Sequence, residues 1–586
     1  MTRSEQPSGE APHGPAADDA LTVDSRERAV RALLRYAPVR RLWSAQFTGG
    51  IADALSVLVL LLLALHTAVA PAAGQPAFGG GYRGVAFAVA AVFGARLLST
   101  LLFGAALLGP VSSLVAPSGP LDRRWTMVGA DGLRIVALVI APLWISWTPH
   151  KAFALLLVTV FVTGVAERFW TVAKDSAAPA LLPAPPPEGA AVRPLPDHQA
   201  ALRRLWLRTS FAALPIAAAG LLVITGVSNL LAIGLDWFDA HQAALAAYVA
   251  AGLFAASLSV VYFLELPGTG TRRPRSPLEG LRRPRTADGR ADKGRTGAVP
   301  LLVLTCAATA GAIGAAVALS ALQAADLGLG PAGFALLVLV LTAGTAGGIR
   351  LAPRTLTALS RRRLLPMAVA VAGLALLAAG LTPDPTTVVL LALLAGLAAG
   401  VAAHTGHTLL DQETEEPRRA RTTDHLHAVV RTVLALCAVA APVLAALIGP
   451  HRADTGGFVF DHGGAAFTLM LVGALLLPVA ALLLIRTDDR QGVPLRRDLR
   501  EAFGGSEPAQ APAATGFFIA VEGGDGAGKT TQVDALADWV RSKGHEVVVT
   551  REPGATPIGK RLRAILLDVS SAGLSHRAEA LLYAAD

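Results

Sequence analysis

The chain has 586 residues, of which 53% are hydrophobic and 16% charged, with a mean hydropathy of +0.52. Soluble domains carry about 25% charged residues, so this composition excludes an ordinary water-soluble multidomain protein and makes a lipid bilayer the solvent for most of the chain. The net charge is +9, but the basic residues stand in short stretches between apolar segments, a pattern of membrane topology and not of nucleic-acid binding.

Residues 1–38 read as a disordered, cytoplasmic N-terminus. The first 28 are rich in Pro, Gly, Ala and acids, with no signal peptide. Arg31, Arg35, Arg40 and Arg41 then precede the first apolar run, a flank expected on the cytoplasmic side.

Residues 39–487 read as a polytopic all-α membrane domain. A bilayer core needs about 20 apolar residues per helix, and about twelve stretches qualify, with cores at 43–68, 84–108, 127–147, 152–173, 205–234, 242–264, 299–322, 332–350, 364–382, 387–410, 427–449 and 465–485. Even-numbered connections are basic: Arg123 and Arg124, Arg203 and Arg204, Arg361 to Arg363, and Arg418, Arg419 and Arg421. The connection 271–296 alone holds nine Lys and Arg. Odd-numbered connections such as 236–242, 323–330 and 382–387 are poor in positive charge. That alternation places both ends of the domain in the cytoplasm of a multi-pass plasma-membrane protein. Cys306 and Cys437 fall inside apolar segments and fit neither a disulfide framework nor a zinc site.

Two six-span halves separated by a long basic loop resemble the major facilitator superfamily. Leu121-Asp122-Arg123-Arg124 with Gly129-Ala130-Asp131-Gly132-Leu133-Arg134 is similar to that family's loop between spans two and three, here compressed. Charges inside a bilayer are functional candidates by default: Asp53, Arg96, Glu167, Arg168, His404 and His407. Asp53 either binds a proton or cation or lies near the interface. Glu167 and Arg168 either pair within the bundle or mark a cytoplasmic helix end.

Residues 488–515 read as a cytoplasmic linker, closing in the Gly/Pro/Ala-rich run 501–515. Residues 516–586 have the composition of a soluble α/β segment. Phe517–Glu522 reads as a short buried strand, followed by Gly523-Gly524-Asp525-Gly526-Ala527-Gly528-Lys529-Thr530, which satisfies G-x-x-x-x-G-K-[ST]. A helix from Thr531 to Lys543 and a second strand over Glu546–Thr550 supply the context this motif requires. Gly523, Gly524, Asp525, Gly526, Ala527 and Gly528 let backbone amides wrap the phosphates of ATP. Lys529 brings a positive charge to the β/γ-phosphates, the Thr530 hydroxyl ligates Mg²⁺, and Thr531 assists.

Directly after the second strand comes Arg551-Glu552-Pro553-Gly554, then a helix over 560–568, and the chain closes with Glu579-Ala580-Leu581-Leu582-Tyr583-Ala584-Ala585-Asp586. In order and spacing, residues 515–586 resemble bacterial thymidylate kinases. The chain as a whole is thus expected to be a major-facilitator-like membrane domain followed by an α/β P-loop kinase fragment. The resemblance implies transfer of the ATP γ-phosphoryl group to dTMP, giving dTDP, with Mg²⁺. It also implies roles for Lys529, Asp525 and Arg551 in catalysis, and for Arg551 and Tyr583 in holding dTMP. Duller readings are a turn-supporting Asp525, an ion-paired surface Arg551 and a core Tyr583. The family's later Asp-Arg segment, lid and adenine-binding region are not in the sequence, so a truncated catalytic domain is expected. The resemblance also allows a homodimer through the kinase segment. The competing reading is a major-facilitator-type transporter with a degenerate or regulatory ATP-binding tail.

Overall fold

A computed structural model describes residues 30–585, apart from 70–76, 117, 183–197, 234–242, 267–275, 286–288, 290, 357–358, 456–457, 491, 505–517, 525–526, 544–546, 552–553, 555 and 569–573. The chain divides into two units, Met1–Ala509 and Gln510–Asp586.

The first unit is built from α1 (Ala37–Val69), α2 (Gly81–Leu101), α3 (Arg123–Ile140), α4 (Ala152–Ala177), α5 (His198–Ala232), α6 (Ala244–Tyr262), α7 (Val299–Asp326), α8 (Gly330–Leu351), α9 (Arg361–Leu381), α10 (Pro385–Glu413), α11 (Glu416–Ile448) and α12 (Gly464–Thr487). Among the described residues, eleven helices are long and apolar enough to cross a membrane. The remaining element of the expected twelve is α3. It carries Arg123, Arg124, Asp131 and Arg134 within 18 residues, too many charges for a lipid-facing helix, and it packs between α4 and α6.

Helix pairing repeats between the halves. The pairs α1·α6, α3·α6, α3·α4, α1·α5 and α2·α4 in the first half recur as α7·α12, α9·α12, α9·α10, α7·α11 and α8·α10 in the second. The halves meet through α2·α11 and α5·α8, two contacts that exchange with each other under the same six-helix shift. An internal two-fold repeat therefore organises the unit.

Several sequence expectations change. Residues 30–38 were assigned to a disordered N-terminus, but residues 30–35 are helical, and Val30 and Leu33 are buried. The i, i+3 spacing of these two residues forms one apolar face. The Gly129–Arg134 stretch is not in a loop: Asp122 caps α3 by accepting from the Trp125 amide at 3.0 Å, and the stretch continues inside the helix. Arg203 and Arg204, and Arg418, Arg419 and Arg421, belong to α5 and α11, which run past the apolar cores into their basic flanks.

Backbone approach governs the second half. Hydrocarbon offers no hydrophobic gain for helix association, so close van der Waals contact between small residues must supply it. Gly344 and Gly348 on α8 face Gly396 and Gly400 on α10, both pairs at a four-residue spacing. A Cβ at Gly348 would lie 2.0 Å from the Leu397 carbonyl oxygen.

The basic connections gather at one end of this unit. The backbone N–H of Arg295 donates to the Glu413 carbonyl at 2.9 Å, and that of Thr296 donates to the Glu413 carboxylate at 2.9 Å. Arg362 pairs with the same carboxylate at 2.7 Å, and Arg418 lies 3.7 Å from Asp292. The opposite end carries the weakly charged connections. There Tyr82 donates to Asp326 at 3.3 Å and accepts from the Ala465 amide at 2.6 Å. The hairpin β1 (His451–Thr455) and β2 (Phe458–His462) also connects α11 to α12 at this end.

Arg363 clamps the basic end. It is 2% exposed and grips Asp488 through two donors at 2.7 and 2.9 Å. A third donor reaches Asp498 at 2.7 Å. Asp498 lies in the first turn of α13 (Leu495–Gly504), a helix inside the stretch expected as linker.

In the second unit, α14 (Lys529–Ser542), α15 (Pro557–Leu567) and α16 (His576–Ala585) form, but the two expected strands do not. Residues 518–524 and 547–551 join no sheet among the described residues, and Phe518 is 90% and Val548 86% exposed. A parallel strand needs both faces covered, and nothing described covers these.

Two outcomes follow for the first unit. Gly348→Val should drive α8 and α10 apart and cost roughly 1–3 kcal/mol or more, seen as a lowered melting temperature in detergent. Arg363→Ala should cost about 3 kcal/mol or more by leaving the buried Asp498 with only the longer contact to Arg490 at 3.4 Å. The hydrogen bonds from Arg363 also hold the Asp488 carboxyl below its usual range. The folded pKa is therefore the lower one. The clamp's contribution is complete above the unfolded value, about 3.9, and fades as pH falls below it towards the folded value. Acid melting curves of the parent protein should show that loss, and those of Asp488→Asn should not.

Candidate functional site

The glycine loop ends where α14 begins. Gly528 takes the left-handed conformation (φ +80°) as N-cap, a backbone that glycine adopts without strain. The Ala527 amide donates to the Gly524 carbonyl at 3.2 Å, closing a turn, and the Gln532 amide makes the first helical bond to Gly528 at 3.1 Å. The amides of Lys529, Thr530 and Thr531 therefore precede the helical ladder at the positive end of the helix dipole, an anion-binding geometry. The Lys529 ammonium arches back over the loop and donates to the carbonyls of Gly523 at 2.5 Å and Gly524 at 2.8 Å. Thr530 and Thr531 are exposed in the first turn. Asp525 and Gly526 lie outside the described residues.

The structure gathers part of the predicted set. Gly523, Gly524, Ala527, Gly528, Lys529, Thr530 and Thr531 form one local site. Arg551 is exposed at the end of the 547–551 segment, and Tyr583 is 48% exposed on α16. Neither makes a hydrogen bond or ion pair with the loop among the described residues. Thr556 caps α15 by accepting from the Gly559 amide at 2.8 Å, and α15 packs on α16.

A second polar site lies inside the first half of the membrane unit. Arg134 on α3, 1% exposed, donates to both carboxylate oxygens of Asp53 on α1 at 3.0 Å and lies 2.9 Å from Asp131. Its guanidinium also stacks 4.5 Å over the Phe254 ring, a cation–π contact. Asp131 is fully buried and accepts from Ser257 on α6 at 2.9 Å. Arg96 on α2 pairs with Glu167 on α4 at 2.9 Å and approaches Asp53 at 3.9 Å, while Arg168 pairs with Glu167. Three carboxylates thus face three guanidinium groups. Asp53, Glu167 and Arg134, together with Gln46, Trp170 and Thr209, line a cavity of about 210 Å³.

Of the membrane charges expected from sequence, Asp53, Arg96, Glu167 and Arg168 belong to this cluster. His404 and His407 do not; His407 lies 3.5 Å from Asp411 on its own helix. Asp131 and Arg134 are central to the cluster; they fall inside the span core 127–147 and in the stretch similar to a loop, and were not among the membrane charges expected from sequence. Their spacing of three, one helical turn, was the signal available in the sequence.

Residues 521–586 match the family model described as thymidylate kinase. The thymidylate kinase of Desulfovibrio desulfuricans is 52% identical over 70 residues, and that of Clavibacter sepedonicus 56% identical over 72. The C-terminal unit is a thymidylate kinase-like segment. Each alignment covers 12% of this chain and 32% or 34% of the relative, so the chain spans about a third of the length of the curated relatives it matches. The crystal structure of a D-xylose-proton symporter superposes with a TM-score of 0.50 at 13% identity, covering 78% of this chain and all of that one. The membrane unit therefore shares the fold of that symporter, and the chain joins that unit to the kinase-like segment.

Removing Arg134 should be the costliest single change in the cluster. Arg134→Ala leaves Asp131 buried without its cation and should cost about 3–5 kcal/mol. Arg134→Lys should recover only part of this, since one ammonium cannot serve both carboxylates in the guanidinium's fork geometry. Glu167→Gln, at a group open to the cavity, should cost less. Thermal denaturation in detergent measures all three.

Proposed function

We propose that this chain carries the phosphate-gripping part of a dTMP kinase, transferring the γ-phosphoryl group of ATP to the 5′-phosphate of dTMP and giving dTDP. The observation that carries the reading is the loop itself: a left-handed Gly528 opening a helix, with Lys529 held across the loop. More than half identity to thymidylate kinases through this stretch supports it.

The residues present fit a magnesium nucleotide. The first-turn amides and the Lys529 ammonium would hold phosphate oxygens, and the exposed Thr530 hydroxyl would ligate Mg²⁺. When bound, Mg²⁺ neutralises charge on the transferring phosphoryl group. Lys529 would orient the β- and γ-phosphates and stabilise charge developing between them. Arg551 would bind the dTMP phosphate, Tyr583 would stack on thymine, and Asp525 would lie beside the acceptor. Thr531 would add a further phosphate contact. Catalysis of this kind is positioning and electrostatics, without a covalent enzyme intermediate. The kinase segment and the N-terminus would lie on the cytoplasmic side of the plasma membrane, the side expected for the basic connections. A homodimer would form through the kinase segment.

A second reading is transport, with the kinase-like segment as a regulatory tail. The buried ionic cluster and its cavity favour it, because intramembrane charges commonly line substrate or ion paths. In this reading Asp53 binds a proton or cation.

Lys529→Ala separates the two. In the first reading it should weaken Mg-ATP binding, measured by titration calorimetry, and lower dTMP phosphorylation by the full protein by at least about a hundredfold. Unchanged turnover would refute the kinase mechanism. In the second, vesicle uptake should survive Lys529→Ala but fail in Asp53→Asn.

A further inference from the structure

We propose that α13 is a bilayer-surface helix whose arginines bind the anionic headgroups of phospholipids. Four observations lead there, and none depends on the kinase reading.

The first is position. Asp488 immediately follows the last residue of α12, and Arg363 is the third residue of α9. By holding Asp488 and Asp498 together at 2.7–2.9 Å, the Arg363 guanidinium pins the first turns of α13 to the ends of two membrane helices. Arg490 reinforces the hold at 3.4 Å from Asp498. The helix is therefore kept at the level where the hydrocarbon meets water.

The second is sidedness. Asp498 is buried, Leu495 and Leu499 are half-buried, and Ala502 packs against the membrane core. Arg496 and Arg500, one turn apart, are exposed on the other side. The helix thus has one face committed to the protein and one face of positive charge.

The third is the neighbourhood. Arg361 and Arg486 are also exposed, at the ends of the two helices that the clamp joins. With Arg496 and Arg500 they give this boundary an excess of exposed positive charge, against which Asp489, bound to Ser360, sets one carboxylate.

The fourth is the chemistry of the site. Guanidinium groups bind phosphate through paired donors, and a basic amphipathic segment beside a membrane helix is attracted to anionic lipid. Charge complementarity and depth in the membrane together select a lipid headgroup as the occupant.

The test is hydrogen exchange of the α13 amides in the full chain. The chain is reconstituted into nanodiscs of phosphatidylcholine alone or of phosphatidylcholine mixed with phosphatidylglycerol. Exchange should be slower in the mixed discs. The difference should shrink about fivefold for each arginine removed, so that the Arg496→Gln/Arg500→Gln double variant loses about 25-fold. It should vanish near 1 M salt, where the Debye length is about 3 Å. Exchange that is equal in the two disc types overturns the proposal, and so does protection that persists in pure phosphatidylcholine, which would mean that a protein surface covers the helix. Slowing by added inorganic phosphate in pure phosphatidylcholine discs, with no further effect of phosphatidylglycerol, would assign the patch to free phosphate and also overturn it. Both changed residues are exposed, and the lipid comparison on the parent chain is decisive even if the double variant frays.

Discussion

A charge placed in hydrocarbon must find a partner or cost several kcal/mol, and that constraint shapes the first unit. Asp53, Arg96, Asp131, Arg134, Glu167 and Arg168 come from four helices and form a cluster whose formal charges cancel. Helix α3 is tolerable in a membrane only because α4 and α6 flank it and its charges point at one another and at Asp53. Arg123, near its start, is likewise buried and donates to the Ser176 carbonyl on α4. The same rule acts at the membrane boundary, where Arg363 satisfies two carboxylates and fixes the chain that leaves α12.

Neutral packing does the corresponding work in the second half. There the helices approach through glycines: Gly344 and Gly348 against Gly396 and Gly400, and Gly373 against Gly473. The two halves thus share a pairing scheme while differing in what holds them, ion pairs on one side and backbone contact on the other. The polar cavity belongs to the ionic half. Buried charges are costly to retain and are replaceable by well-packed apolar residues, so their concentration beside a cavity is the feature of this unit that points to chemistry beyond anchoring.

In the second unit the ingredients differ in how far they depend on the rest of a fold. The phosphate loop is local. One left-handed glycine, one turn and the start of a helix suffice to aim amides outward, and these features are present although the flanking segments join no sheet. Arg551 and Tyr583 depend on non-local packing to meet the loop, and they remain exposed and apart from it.

Much of this was legible in the amino-acid sequence. Apolar run length located the membrane helices, eleven of which are long and apolar enough to cross a membrane among the described residues, because run length follows from hydrocarbon thickness along a single chain. The glycine loop with Lys529 and Thr530 was legible for the same reason, its geometry being set by neighbours in sequence. Tertiary structure alone decided the rest. It brought Arg134 and its partner Asp131 against Asp53, it bound Arg363 to residues 125 and 135 positions further on, and among the described residues it left the segments at 518–524 and 547–551 outside any sheet. Those outcomes depend on which surfaces are brought together in space, and a pattern read along one chain carries the partners of a buried charge or a strand only when they are its neighbours.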